Sequence, residues 1–169
     1  MNLEITENDL YNVKKILDDM SLTNHLIEKS EKMPISSIVL NYNSSNKTEF
    51  DIAIAFVPLP ENIFSNIKIL QIFYEIPGTE DNPNENLSLE LTNQINYLLT
   101  IGSFGLREKK ITYRYCHTMP LFLNIYEKKN SIIELISMIL MYIDTFEKPI
   151  IDVINGTLGI DEMINKVQE

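Results

Sequence analysis

The strongest constraint on the fold lies between residues 35 and 76, where three runs of alternating residues follow one another with short breaks. "ISSIVLNYN" (35–43) puts Ile38, Leu40 and Tyr42 on one side of an extended chain. "EFDIAIAFV" (49–57) puts Ile52, Ile54 and Phe56 on one side and Ala53, Ala55 and Val57 on the other. "IKILQIFYEI" (67–76) does the same with Leu70, Ile72, Tyr74 and Ile76. A period of two is that of a β-strand. Polar "SSNKT" between the first two runs reads as a hairpin loop, and "PLPEN" (58–62), with its two prolines, breaks the pattern before the third. Such short connections join antiparallel strands, because a parallel pair needs a long crossover. The segment predicts an antiparallel meander.

Helices flank it. Thr6 with Asp9 three residues on has the capping-box spacing, and Leu10, Val13, Ile16, Leu17 and Met20 then fall on one helical face. "SLTNHLIEKSEKM" continues or closes this helix, which Pro34 ends. "PGTEDNPNEN" (77–86) is a turn-rich acidic loop. A second helix is expected from Leu87 to Thr100, with Leu87, Leu91, Ile95, Leu98 and Leu99 on one face. "SFGLREKKITYRYCHTM" (103–119) reads as a hairpin turned at Glu108–Lys110, and "LFLNIY" (121–126) is apolar but ambiguous. Ser131 with Glu134 repeats the capping-box spacing and opens a third helix, running to about Phe146 and past Pro149 if the helix tolerates a kink there. "NGTLGIDEMINKV" (155–167) breaks at two glycines and ends in a short amphipathic helix. The expected fold is α+β: five antiparallel strands in α-β-β-β-α-β-β-α order, with helices packed mainly on one face. The whole chain, 1–169, reads as a single domain.

Composition narrows the function classes. With 14 Lys and Arg against 24 Asp and Glu, the formal charge is −10. A nucleic-acid partner requires a basic face, and the nearest candidate, "REKK" (107–110), carries its own glutamate. No nucleic-acid partner is therefore expected. The longest apolar run, within 132–143, is too short to span a bilayer and contains Glu134, and "MNLEITENDLYN" lacks the basic and apolar regions of a signal peptide. No membrane partner is expected, and a reduced, cytoplasmic location is.

Few residues suggest chemistry. Cys116 is the only cysteine, and His117 stands beside it. Adjacent strand residues point to opposite faces, so the imidazole is not placed to act as base for the thiol. Alternation sets Ile111, Tyr113, Tyr115 and His117 on one face, and Thr112, Arg114, Cys116 and Thr118 on the other. His25, the other histidine, has no partner at a metal-ligand spacing, and the acidic loop lacks the residue order of a calcium loop. No phosphate-binding or nucleophile-elbow motif occurs. Gly102 and Gly105 read as a helix C-cap and turn. No catalytic residue, cofactor or metal is predicted.

The order of elements, with "LQIFYEIP", "ELTNQINYLLTIGSFGL" and "ITYRY", resembles the YbjN-type domain family, which has the type III secretion chaperone-like fold. Leu70-Gln71, the leucine-rich helix with Asn93 and Asn96, the Gly102-x-Phe104 step, Tyr113-Arg114-Tyr115 and the terminal "INGTLGIDEMINKV" carry the resemblance, which covers residues 10–167. It implies a helix-backed antiparallel sheet in a small, acidic, bacterial cytosolic protein, often dimeric, chaperone-like or regulatory. It carries over no active site.

Three functions compete. The first is a non-enzymatic protein-binding module, acting through an apolar helix surface or a sheet edge. The second is a small-molecule sensor or enzyme with a pocket between sheet and helices, lined by Tyr113, Tyr115 and His117. The third is an acidic, immunity-like inhibitor of a basic protein. The helix beginning "SIIELISMILMYID" favours the first. Its core stripe is Ile132, Ile136, Ile139 and Ile143, with Leu135 and Leu140 at the shoulders. Apolar side chains extend over about 220° of its circumference, where packing on a sheet needs little more than about 100°. Met138, Met141 and Tyr142 are the candidate partner-binding residues, the simplest partner being a second copy of the chain in a homodimer.

Overall fold

The structure is a computed structural model, and it describes residues 2–31, 33–60, 62–79 and 84–168. The elements are α1 (Asn2–Asp19), β1 (Asn24–Ile27), β2 (Ser37–Asn43), β3 (Glu49–Phe56), β4 (Ile67–Glu75), α2 (Glu85–Asn96), β5 (Ser103–Arg107), β6 (Lys110–Pro120), a 3₁₀ turn (Tyr126–Lys128), α3 (Lys129–Ile154) and α4 (Ile160–Gln168). The sheet is antiparallel and six-stranded, in the order β1-β2-β3-β4-β6-β5. The α+β class and the meander agree with the sequence, while the expected count of five strands is one short.

The additional strand is β1, inside a segment read as the end of the first helix. A Schellman turn explains the difference. The Leu22 N–H donates to Leu17 O at 3.1 Å and the Ser21 N–H to Asp18 O at 2.9 Å, with Ser21 at a φ of 58°. Glycine usually holds this left-handed position. With serine there, the sequence carries no stop signal, and the four-residue strand "NHLI" has no room to display alternation. It pairs with β2 from Asn24 opposite Leu40 to Ile27 opposite Ser37. The start of the helix also differs. Since α1 opens at Asn2, Thr6 and Asp9 lie within it and form no capping box.

The chain divides into two compact units, interleaved in sequence. The first comprises residues 1–42, 51–73 and 116–137, the second 43–50, 74–115 and 138–169. In the first, Leu10, Val13, Ile16 and Leu17 of α1 are buried, as are Ile38 and Leu40 of β2, Ile52 and Ile54 of β3, and Leu70 and Ile72 of β4. These are the residues whose periodicity marked the elements.

The second unit is organised around aromatic rings. Tyr74 and Tyr113 stack with centroids 4.9 Å apart, and Phe50, Phe104, Tyr142 and Phe146 meet them or one another edge to face. Gly102, expected to cap the preceding helix, serves this cluster instead. Its φ is 68°, and a Cβ there would lie 2.2 Å from the Tyr113 hydroxyl. That hydroxyl donates to Ile101 O at 3.1 Å. α2 ends at Asn96, short of the expected Thr100, because the Asn96 amide both accepts from Phe104 N at 2.7 Å and donates to Phe104 O at 2.9 Å. The β5–β6 hairpin turns at the expected place, on Glu108 and Lys109. α3 continues through Pro149 to Ile154.

Candidate functional site

The first unit holds a charged pair where the sequence pattern leads one to expect only apolar side chains. β4 buries every second residue, and Lys68 stands in register with Leu70, Ile72 and Tyr74 on the buried side. Its side chain is 1% exposed. The ammonium donates to Asp9 Oδ2 and, at 2.7 Å, to Leu123 O. Asp9 reaches it from the buried face of α1 and is itself 4% exposed. Burial raises the Asp9 carboxyl above its ordinary range, and the bonds from Lys68 and from the Ile125 N–H offset only part of that rise. Two ions leave water here only because each satisfies the other.

Beside the pair lies a cleft of about 210 Å³. Its walls are mainly apolar and include Leu10, Phe56, Leu59 and Leu121, with Lys68 among them. Lys29 and Glu7, also lining the cleft, form an ion pair at 2.6 Å. Three segments without regular structure complete it: residues 34–36, residues 57–59 of the β3–β4 connection, and Leu121 after β6. The Leu121 N–H donates to Asn66 O at 2.9 Å and ties two of them together. Exposed large apolar side chains flank that lining in the chain: Met33 precedes residue 34, Ile63 (66% exposed) and Phe64 lie further along the β3–β4 connection, and Phe122 (71% exposed) follows Leu121. A second, shallower depression is lined by Asp9, Lys68, Asn12, Phe122 and Asn124. Lys68 thus borders both, and Asp9 the second alone.

The residues singled out from sequence lie elsewhere. Tyr142 is a correction. It is 6% exposed, its hydroxyl accepts from Thr100 N at 3.0 Å, and its ring meets Tyr113 and Phe146. Met138 is half-buried and Met141 exposed, so the three do not make the expected exposed patch. Tyr113 is buried in the aromatic cluster, Tyr115 and His117 are half-buried, and none of them lines the cleft. Cys116 is exposed with Sγ 4.0 Å from Gln71 Oε1, and neighbours His117 along continuous strand β6, where successive side chains take opposite faces. His25 is exposed on β1. Among the described residues no group of three His, Cys, Asp or Glu is placed to hold a metal. The centre of the acidic loop, residues 80–83, lies outside the described residues. No helix among the described residues is long and apolar enough to cross a membrane.

One signal for the site was present in the sequence. Extending the Leu70-Ile72-Tyr74 alternation back by two residues puts a lysine on the apolar face, where an unpaired charge is prohibitive. Its acidic partner, 59 positions away, has no local signal. No family model matches the sequence, and no curated protein is similar to it.

Proposed function

We propose that the protein is a non-enzymatic protein-binding module, chaperone-like or regulatory, and that it binds through the cleft of the first unit. One observation carries this reading: Met33, Ile63, Phe64 and Phe122, half of the exposed large hydrophobic residues among those described, stand in the chain next to the segments that line the cleft or in the same β3–β4 connection. Exposed apolar side chains are ordinary when scattered, but their recurrence on the chain segments that lead into an apolar cleft is what a partner surface requires. A partner would seat one apolar anchor in the cleft and cover the surrounding side chains, as interface hot spots do. The YbjN-type resemblance and a cytoplasmic location belong to the same proposal.

The test is comparative capture from a native lysate. Wild type and Tyr97→Asp, altered on an exposed residue of the second unit, are expected to retain the same discrete partner, and Leu59→Asp to lose it. A partner retained equally by all three would contradict the cleft's role.

A second reading, small-molecule binding, has its own support. The cleft exceeds the roughly 150 Å³ of an apolar cavity that accommodates benzene. Self-association through α3 has less behind it, since Tyr142 faces inward.

A further inference from the structure

We infer that the edge of β6 at Cys116 and Thr118 takes up an extended peptide segment as a further strand, at a place distinct from the cleft. β6 pairs with β4 on one side and β5 on the other, but it is 11 residues long and β5 only 5. The Ile76 N–H donates to Ile111 O at 2.8 Å and the Leu121 N–H to Asn66 O at 2.9 Å, so β4 and β6 keep one register between these bonds. In an antiparallel ladder a strand turns alternate residues to each neighbour. The odd-numbered residues from Ile111 to Leu121 therefore turn their backbone groups to β4, and Thr112, Arg114, Cys116 and Thr118 turn theirs the other way. On that other side Gly105 stands opposite Thr112 and Ser103 opposite Arg114, and β5 reaches no further. Among the described residues nothing pairs with the outward backbone N–H and C=O of Cys116 and Thr118, and both residues are exposed.

Two donors and two acceptors at strand spacing are the pattern that an added strand completes. A second copy of the chain cannot supply it. If Cys116 paired with Thr118 of a second copy, Pro120 of that copy would stand opposite Arg114, on the side that Ser103 already pairs. Sliding the copy clear of Ser103 sets its Pro120, which has no N–H, opposite Cys116 or Thr118. The occupant is therefore a short segment of another polypeptide with no strand partner of its own. Its residue pattern follows from the faces of β6, since directly opposed residues share a face. The residues opposite Cys116 and Thr118 lie on the exposed face. The one between them stands opposite His117, on the face of half-buried Tyr115 and buried Met119. The segment is polar, apolar, polar, with a β-branched or aromatic residue at its centre.

Thr118→Pro tests the inference, because it removes an outward N–H and no bond to β4, and Pro120 shows that β6 accepts proline at such a position. Thr118→Val changes the side chain and keeps the N–H. A library of random linear peptides is selected on the wild-type chain, and the peptides recovered are titrated into ¹⁵N-labelled wild type and both variants. Peptides with apolar residues at alternate positions are expected to slow amide hydrogen exchange at Cys116 and Thr118. They should bind Thr118→Pro at least about tenfold more weakly than Thr118→Val, the effect of one hydrogen bond left unmade. Leu59→Asp, a change in the cleft, should leave this binding unaltered, and a loss there would assign the peptide to the cleft and overturn the edge. The inference also fails if no recovered peptide protects the two amides, or if those that do bind Thr118→Pro as tightly as Thr118→Val; either result leaves the cleft reading standing. If Thr118→Pro does not fold, N-methylation of the peptide decides. Methylating every second amide should abolish binding in one phase and spare it in the other, and equal loss in both would overturn the pairing.

Discussion

At the scale of single residues, the buried pair and the buried rings make the sharpest predictions. Removing one member of a buried ion pair leaves an uncompensated charge, so Lys68→Met should lower the unfolding free energy by about 3–5 kcal/mol, with Asp9→Asn/Lys68→Met recovering much of it. Urea midpoints check this; a double variant no more stable than the single one would contradict the pairing. The carboxyls should titrate in a definite order. Asp18 and Asp19 are held below the ordinary aspartate value of 3.8, first of all by hydrogen bonds from Lys14 and Lys129, whereas burial holds Asp9 above it. By linkage, Asp18 and Asp19 contribute stability that is present above 3.8 and lost as pH falls through their lowered values. Asp9 acts oppositely: the folded chain holds its proton more tightly, so its contribution declines as pH rises from 3.8 through its raised value. A carboxyl ¹³C titration should find Asp9 protonated at a pH where Asp18 and Asp19 are ionised, and the reverse order would refute the assignment. Among the rings, the Tyr74 hydroxyl is buried and has no hydrogen-bond partner among the described residues, and burial lifts its pKa well above 10.0. Tyr74→Phe should therefore be neutral or stabilising, while Tyr113→Phe, which loses the bond to Ile101 O, should cost about 1 kcal/mol. A loss for Tyr74→Phe as large as that for Tyr113→Phe would be inconsistent with this account.

At the scale of elements, the sequence revealed the long periodic pieces and obscured the short ones. β3 and β4 were legible because each shows several alternations, and the buried face of α1 was legible from Leu10 to Leu17. β1 was not, because it is only four residues long and follows a turn whose serine takes a left-handed conformation. Tyr142 was misplaced for a different reason. A helical wheel gives the width of the apolar arc on α3 but not which neighbours cover it, and Tyr113 and Phe146 meet the tyrosine ring. Lys68 was legible in principle and its partner was not, since pairing across 59 positions is a property of the fold. The β5–β6 turn stores strain of the same kind as the turn before β1. Glu108 and Lys109 both take positive φ, 50° and 67°, in a two-residue turn that favours Asn-Gly. Glu108→Asn/Lys109→Gly should raise stability by about 1 kcal/mol, read as a higher urea midpoint with unchanged slope. A lower midpoint would mean that the side chains of the native turn matter more than its backbone.

At the scale of the whole molecule, charge and self-association are the open properties. A formal charge of −10 favours encounter with a basic partner, so association governed by it should slow as salt rises, whereas binding dominated by the apolar cleft should depend little on salt. If the chain forms a homodimer, light scattering should give a mass near twice 19.6 kDa. Met141→Glu should then yield folded monomer, because Met141 is 54% exposed and accommodates a charge, whereas Tyr142→Glu would disrupt the core. The central claim, that the cleft of the first unit is where this protein meets its partner, is tested most directly by photo-crosslinking in the native lysate. A benzoylphenylalanine at position 64, in the β3–β4 connection that contributes residues 57–59 to the cleft, should yield one discrete adduct that disappears on adding Leu59→Asp, and the same probe at position 97 should yield none. An adduct at position 97 alone, or one at position 64 that survives Leu59→Asp, would contradict the account.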